Sequence, residues 1–256
     1  MLRSLRLPAI AVIAVTAVTL TIPVLGLLPS PWSDGEPRWR SSSPEVFERT
    51  VQGLELDWSE GRRISLPRDT EEEDLVLALA EPSALATRAA VLLGWVALAG
   101  EEGPSSRAVA TLIGRLEQRI PAPSRALDAV DVVAAAALAR LPEVAGLGPR
   151  LAVLTDGPGK HPDLEVRVEC AGGALLGGQR EVIPFLLRVL RSGTPAEQLD
   201  PPDWPRKMTM SWAKSRAAEL LSRSAGQPCT FRPDGSFEHQ MRTAEALEAA
   251  LSKGPR

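Results

Sequence analysis

Residues 162–177, Pro162-Asp163-Leu164-Glu165-Val166-Arg167-Val168-Glu169-Cys170-Ala171-Gly172-Gly173-Ala174-Leu175-Leu176-Gly177, are followed by Val182-Ile183-Pro184-Phe185-Leu186-Leu187-Arg188-Val189-Leu190. The two stretches read as a pair of helices separated by a glycine break. In the second, Ile183, Leu186, Leu187 and Leu190 fall on one side at helical spacing. The glycines of the first, Gly172, Gly173, Gly177 and Gly178, suit close helix packing and then helix termination before Gln179. A helix pair of this size has an apolar face that it cannot bury alone.

Working outward, related stretches recur at residues 84–94, 127–133 and 212–221, a period of about forty residues that marks a stacked helical array. Arg167 is matched by Arg88, Asp128 and Arg216. Recurrence at one repeat position gives Arg88, Arg167 and Arg216 a structural part, each guanidinium pairing with an acid or carbonyl of a neighbouring unit. Second helices are expected over residues 105–120, 147–154, 179–190 and 236–251, with Val109, Leu112, Ile113 and Leu116 lining the first and Phe237, Met241, Ala244, Leu247 and Leu251 the last. The final interval is lengthened by a Pro-rich loop over residues 192–205.

The unit resembles the HEAT repeat, in particular the HEAT-like variety first associated with phycobilisome lyases. Residues 162–190 carry the likeness through a first helix with Asp, Arg and Ala-Leu-Gly elements and a second with Ile-Pro-x-Leu. The resemblance covers residues 70–252 and implies an all-α fold, an α-solenoid of about four stacked helix pairs. It carries over no activity, because fold-level likeness does not transfer function. In similar proteins the second helices line the concave side, which makes Arg115, Gln118, Arg188 and Arg191 the candidate partner contacts.

Residues 7–28 read LPAIAVIAVTAVTLTIPVLGLL, with Arg3 and Arg6 before them and Trp32 and Trp39 after. That length of apolar chain matches the ~20 residues a bilayer core requires, and indoles favour the headgroup region. A cleaved signal competes with an uncleaved anchor; the long core and the poor site at Val24-Leu25-Gly26 favour the anchor. The expected division is thus residues 1–28 as anchor or signal, 29–43 as a Pro/Ser-rich linker, 44–68 as a short helix and a hairpin, and 69–252 as the helical repeat domain. Within 44–68, Ser43-Pro44-Glu45 forms a helix start, and Leu54 to Trp58 alternates toward Ile64-Ser65-Leu66 as two strands. Residues 69–74 (Asp69, Thr70, Glu71, Glu72, Glu73, Asp74) cap a further helix rather than bind calcium, since the spaced ligands and glycine of a calcium loop are missing. With the basic N-terminus retained inside, the helical body is expected outside the cytoplasm.

A net charge of −3 gives no broad positive field, which argues against nucleic acid. The absence of Tyr and the presence of only 4 Phe thin out the aromatic anchors of tight interfaces. The chain's 2 His and 2 Cys lack metal-ligand spacing, and no cofactor motif is present. His161, before Pro162 in a turn, and His239, on the last helix, are expected to face solvent. Outside the cytoplasm Cys170 and Cys229 are able to pair; alternatively Cys170 fills an Ala-like packing position while Cys229 sits in a turn. Ser211-Trp212-Ala213-Lys214 matches Ser-x-x-Lys, but the companion motifs of that enzyme class are missing. Gly157-Pro158-Gly159-Lys160 reads as a turn rather than a phosphate cradle. The expectation is a membrane-tethered scaffold for a protein or peptide partner, without catalysis. A lyase or cofactor-attachment factor, and a passive assembly spacer, are the alternatives.

Overall fold

The computed structural model describes residues 37–67, 70–81, 84–99, 104–120, 129–141, 144–192 and 204–252. The apolar stretch 7–28 and Asp128 lie outside them. Every regular element among the described residues is helical, so the chain is all-α. It divides into two compact units, Met1–Thr70 and Glu71–Arg256.

The first unit contains α1 (Arg38–Ser41) and α2 (Pro44–Ser59). Ser43 caps α2 as its sequence suggests: its hydroxyl accepts the Val46 N–H at 3.4 Å, and Pro44 occupies the first turn, where no N–H is needed. The expected hairpin does not form. Residues 54–58 are the last turns of α2, because Phe47, Val51, Leu54 and Trp58 continue a helical stripe that outweighs the local two-residue alternation. Leu54 is buried, and residues 62–67 follow Gly61 (φ +66°) without regular structure.

The second unit holds α3 (Glu72–Ala78), α4 (Ala84–Ala99), α5 (Ser106–Glu117), α6 (Val130–Leu138), α7 (Leu147–Thr155), α8 (Leu164–Leu176), α9 (Ile183–Arg191), α10 (Trp204–Ser224) and α11 (Phe237–Ser252); a 3-10 turn, Arg180–Val182, leads into α9. The N-cap position of α3 is Glu71, one residue past the expected Asp69-Thr70 cap and without a side-chain capping hydrogen bond, and Glu72, Glu73 and Asp74 fill the first turn. Helix α10 begins at Trp204, inside the stretch expected as loop.

Packing follows chain order: α4 lies on α6, α6 on α8, and α8 on α10, while α5 packs on α4 and α6, α7 on α8, and α9 on α10 and α11. The composition explains this division. Helices α4, α6 and α8 are rich in small and apolar residues on most sides, so they are buried by neighbours on both flanks. Helices α5 and α9 are one-sided: Leu112, Ile113 and Leu116 face inward from α5, Phe185, Leu186, Leu187, Val189 and Leu190 from α9. Each of the larger buried side chains contributes about 1.5–3 kcal/mol.

Small residues set the spacing. A Cβ at Gly94 would lie 2.6 Å from the Ala137 Cβ, and one at Gly173 would lie 2.6 Å from Leu151 Cδ1 and 3.0 Å from the Ala139 backbone. These glycines are therefore the contact points of α4 with α6 and of α8 with α6 and α7. Phe237, placed on the inward side of α11 by its spacing, is instead 60% exposed, since it is the first residue of the helix and Gln240, Thr243, Ala244, Leu247 and Leu251 form the buried stripe.

Candidate functional site

Several buried or half-buried polar contacts of the second unit join helices that pack on one another. Asp131, in the first turn of α6, is 3% exposed. Its Oδ1 accepts Arg115 Nε of α5 at 2.7 Å, and its Oδ2 faces His161 Nε2 at 3.5 Å. Burial pushes the Asp131 carboxyl up, but the donors of His161 and Arg115 outweigh burial and hold it below the ordinary carboxylate value.

His161 is wholly buried rather than solvent-facing. Its backbone N–H donates to the Leu154 carbonyl at 2.9 Å, and its Nδ1 accepts the Asp163 N–H at 3.2 Å. The backbone donor at Nδ1 assigns the proton to Nε2, the atom that faces Asp131. The turn signal of His161-Pro162 is correct; what the sequence concealed is that the turn folds inward over α6. His239 is half-buried near the start of α11.

The next junction uses Asp156, at the end of α7. Arg167 of α8 donates Nε to the Thr155 carbonyl at 2.8 Å, stands 3.5 Å from Asp156, and lies 4.7 Å over the Phe185 ring. Arg188 of α9 pairs with the other Asp156 oxygen. At the third junction Arg216 of α10 grips Glu169 of α8 through two bonds, Nε to Oε1 at 2.8 Å and Nη2 to Oε2 at 3.0 Å, and also donates to Glu219 at 2.8 Å. Burial alone would lower the Arg216 guanidinium, and these carboxylates turn the net shift upward. Arg191 of α9 pairs with Glu248 of α11, and Arg150 of α7 forks onto Glu117 of α5 at 2.8 and 2.9 Å.

Of the four residues expected to meet a partner, three are thus engaged within the chain: Arg115 with Asp131, Arg188 with Asp156 and Arg191 with Glu248. Gln118 is exposed at the end of α5. Of the three arginines expected to share a repeat position, Arg167 reaches the end of α7, Arg216 reaches α8, and Arg88 is half-buried on α4. The acids that receive these arginines were missed. Their signal was a carboxylate with an apolar residue on each side, Asp131 between Val130 and Val132, and Glu169 between Val168 and Cys170.

Two further polar points lie apart from the junction pairs. Lys214 is buried, its Nζ donates to Gln240 Oε1 at 3.0 Å, and Gln240 Nε2 donates to the carbonyls of Pro233 and Gly235, so the Ser-x-x-Lys lysine serves the α10–α11 contact. Burial lowers its pKa. Cys170 is buried and Cys229 exposed, and both thiols are free. Between α8 and α10 a depression of about 150 Å³ is lined by Gly172, Leu175, Leu176, Leu220, Arg223 and Ser224.

Among the described residues no group of three or more His, Cys, Asp or Glu is placed to hold a metal ion, and no helix is long and apolar enough to cross a membrane. No family model, curated protein or solved structure matches the chain.

Proposed function

We propose that residues 71–252 form a HEAT-like α-solenoid and that the protein is a scaffold, tethered to a membrane through residues 7–28, that holds a protein or peptide partner outside the cytoplasm. The observation that carries this reading is the junction chemistry: each successive helix pair is fastened to the one before it by an arginine on a buried or half-buried acid or carbonyl. Fastening of this kind fixes the curvature of a stacked array, which is what an extended binding surface requires. Four of the titratable groups with shifted pKa, Asp131, Asp156, Arg167 and Arg216, are engaged in these joints. The depression between α8 and α10 is mostly apolar and small, which suits contact with a partner better than turnover.

Affinity capture with the tagged full-length chain from a detergent extract of its native membrane tests the proposal. Recovery of one protein at constant stoichiometry is the expected result. A chain that fractionates alone, at every detergent and salt condition, contradicts it.

A further inference from the structure

Beyond the Glu117–Arg150 bridge that joins α5 to α7, the chain holds an arginine in a strained backbone conformation. Arg119, the residue that closes α5, has φ +55°, the left-handed conformation that a helix end normally assigns to glycine. A Cβ built on Gly159 would lie 3.6 Å from Arg119 Nη2 and 2.6 Å from Val153 Cγ1. The guanidinium, the Val153 side chain and the Gly157-Pro158-Gly159-Lys160 turn therefore meet at one place, and the bare Gly159 makes room for the contact.

This place is both apolar and positive. Val153 is 55% exposed at this contact; Ile120, next to Arg119 in the chain, is 44% exposed, and Gln118, Arg119 and Lys160 are exposed as well. Three acids of the adjoining helices are already neutralised: Glu117 by Arg150, Asp131 by Arg115, and Asp156 by Arg167 and Arg188. Among the described residues, Arg119 and Lys160 have no ion pair. A chain of net charge −3 thus presents two unneutralised cations beside exposed aliphatic side chains.

We infer that the Arg119–Lys160 edge, with Ile120 and Val153, is a docking site for an acidic peptide segment of a protein partner, one whose carboxylates flank aliphatic residues. The inference rests on the scaffold reading and names the chemistry of its partner. Charge complementarity selects the occupant: carboxylates satisfy the two cations, and the intervening apolar side chains cover Val153 and Ile120. Two cations are too few for phosphate-backbone binding, which draws on many.

The test is fluorescence anisotropy on the full-length protein in neutral detergent at low salt, with three labelled probes. One is a blocked peptide of two leucines flanked on each side by Asp and Glu; the second carries Asn and Gln in place of the acids; the third is oligothymidylate. The acidic probe is expected to bind saturably, and Arg119→Glu with Lys160→Glu to weaken it by at least about tenfold. The amide probe should bind the wild type no better than the acidic probe binds that double variant. Arg119→Gly separates strain from charge: its melting midpoint should rise, because glycine accepts positive φ freely, while the acidic probe binds more weakly. Equal binding of the acidic probe to wild type and double variant, absence of saturable binding, or equally tight binding of oligothymidylate overturns the site. Capture with wild type and double variant in parallel separates this site from the scaffold reading. One partner recovered equally by both removes the site and leaves the scaffold standing; no partner with wild type removes the scaffold reading, while the peptide titration still decides the site.

Discussion

Arg216 and Glu169 form a forked ion pair between α10 and α8, with both guanidinium-to-carboxylate distances at or below 3.0 Å and the Glu169 side chain 2% exposed. A bidentate pair fixes the angle between two helices as well as their separation. Because Glu169 sits where water cannot replace its partner, the pair is far costlier to break than a surface pair. Arg216→Ala should destabilise the second unit by about 3–5 kcal/mol. Replacing both partners by apolar residues, Arg216→Met with Glu169→Leu, should cost less than the single change, as urea unfolding of the three proteins will measure.

The Asp131 carboxyl is held below its ordinary value in the folded chain, burial being outweighed by His161 and Arg115. A group of this kind adds stability that is fully present above the unfolded carboxylate value of about 4 and is lost as pH falls through the lower folded value. Acid unfolding followed by circular dichroism should therefore steepen below about pH 4 in the wild type. Asp131→Asn should flatten that limb, while costing about 1–3 kcal/mol at neutral pH, because Arg115 loses its carboxylate.

Glycine substitutions on two faces should have opposite signs. Gly173→Ala drives a methyl into Leu151 and the Ala139 backbone, and should destabilise by about 1–3 kcal/mol. Gly114→Ala, on α5 with nothing within 4 Å of the new methyl, should stabilise by about 0.5–1 kcal/mol through helix propensity. Thermal melts of both variants check the pair.

Burial, with the adjacent Glu169 carboxylate, pushes the Cys170 thiol far above its ordinary value, whereas Cys229 is exposed. A thiol reagent at pH 8 should label one cysteine in the native protein and two after denaturation. Mass spectrometry should place the native label on Cys229. Labelling of Cys170 without unfolding would contradict its packing between the helices.

The helices were legible because periodicity is a local signal: Leu112, Ile113 and Leu116, or Leu186, Leu187 and Leu190, announce one buried face from spacing alone. The glycines at 172 and 173 were readable for the same reason, as residues too small to be there by propensity. The joints were not legible. Arg115 reads as a solvent-exposed arginine on an amphipathic helix until Asp131, which lies beyond an intervening connection, is brought under it. His161 reads as a turn residue because nothing local reveals that its loop folds inward. The hairpin misreading has a similar origin: Leu54, Leu56 and Trp58 alternate locally, but Phe47 and Val51 lie in helical phase with Leu54 and Trp58, and the longer pattern prevails. Arg119 gave no sequence signal at all, since positive φ is expected of glycine and not of arginine.

The central claim, helix pairs each supported mainly by their neighbours in a row, is tested most directly by native-state hydrogen exchange on the full-length protein, resolved by segment. A row of this kind predicts graded protection, lowest in α3 and α11 at the two ends and highest in α6 and α8 between them. One common opening free energy for all segments from α3 to α11 would mean a single closed core, and would contradict the account.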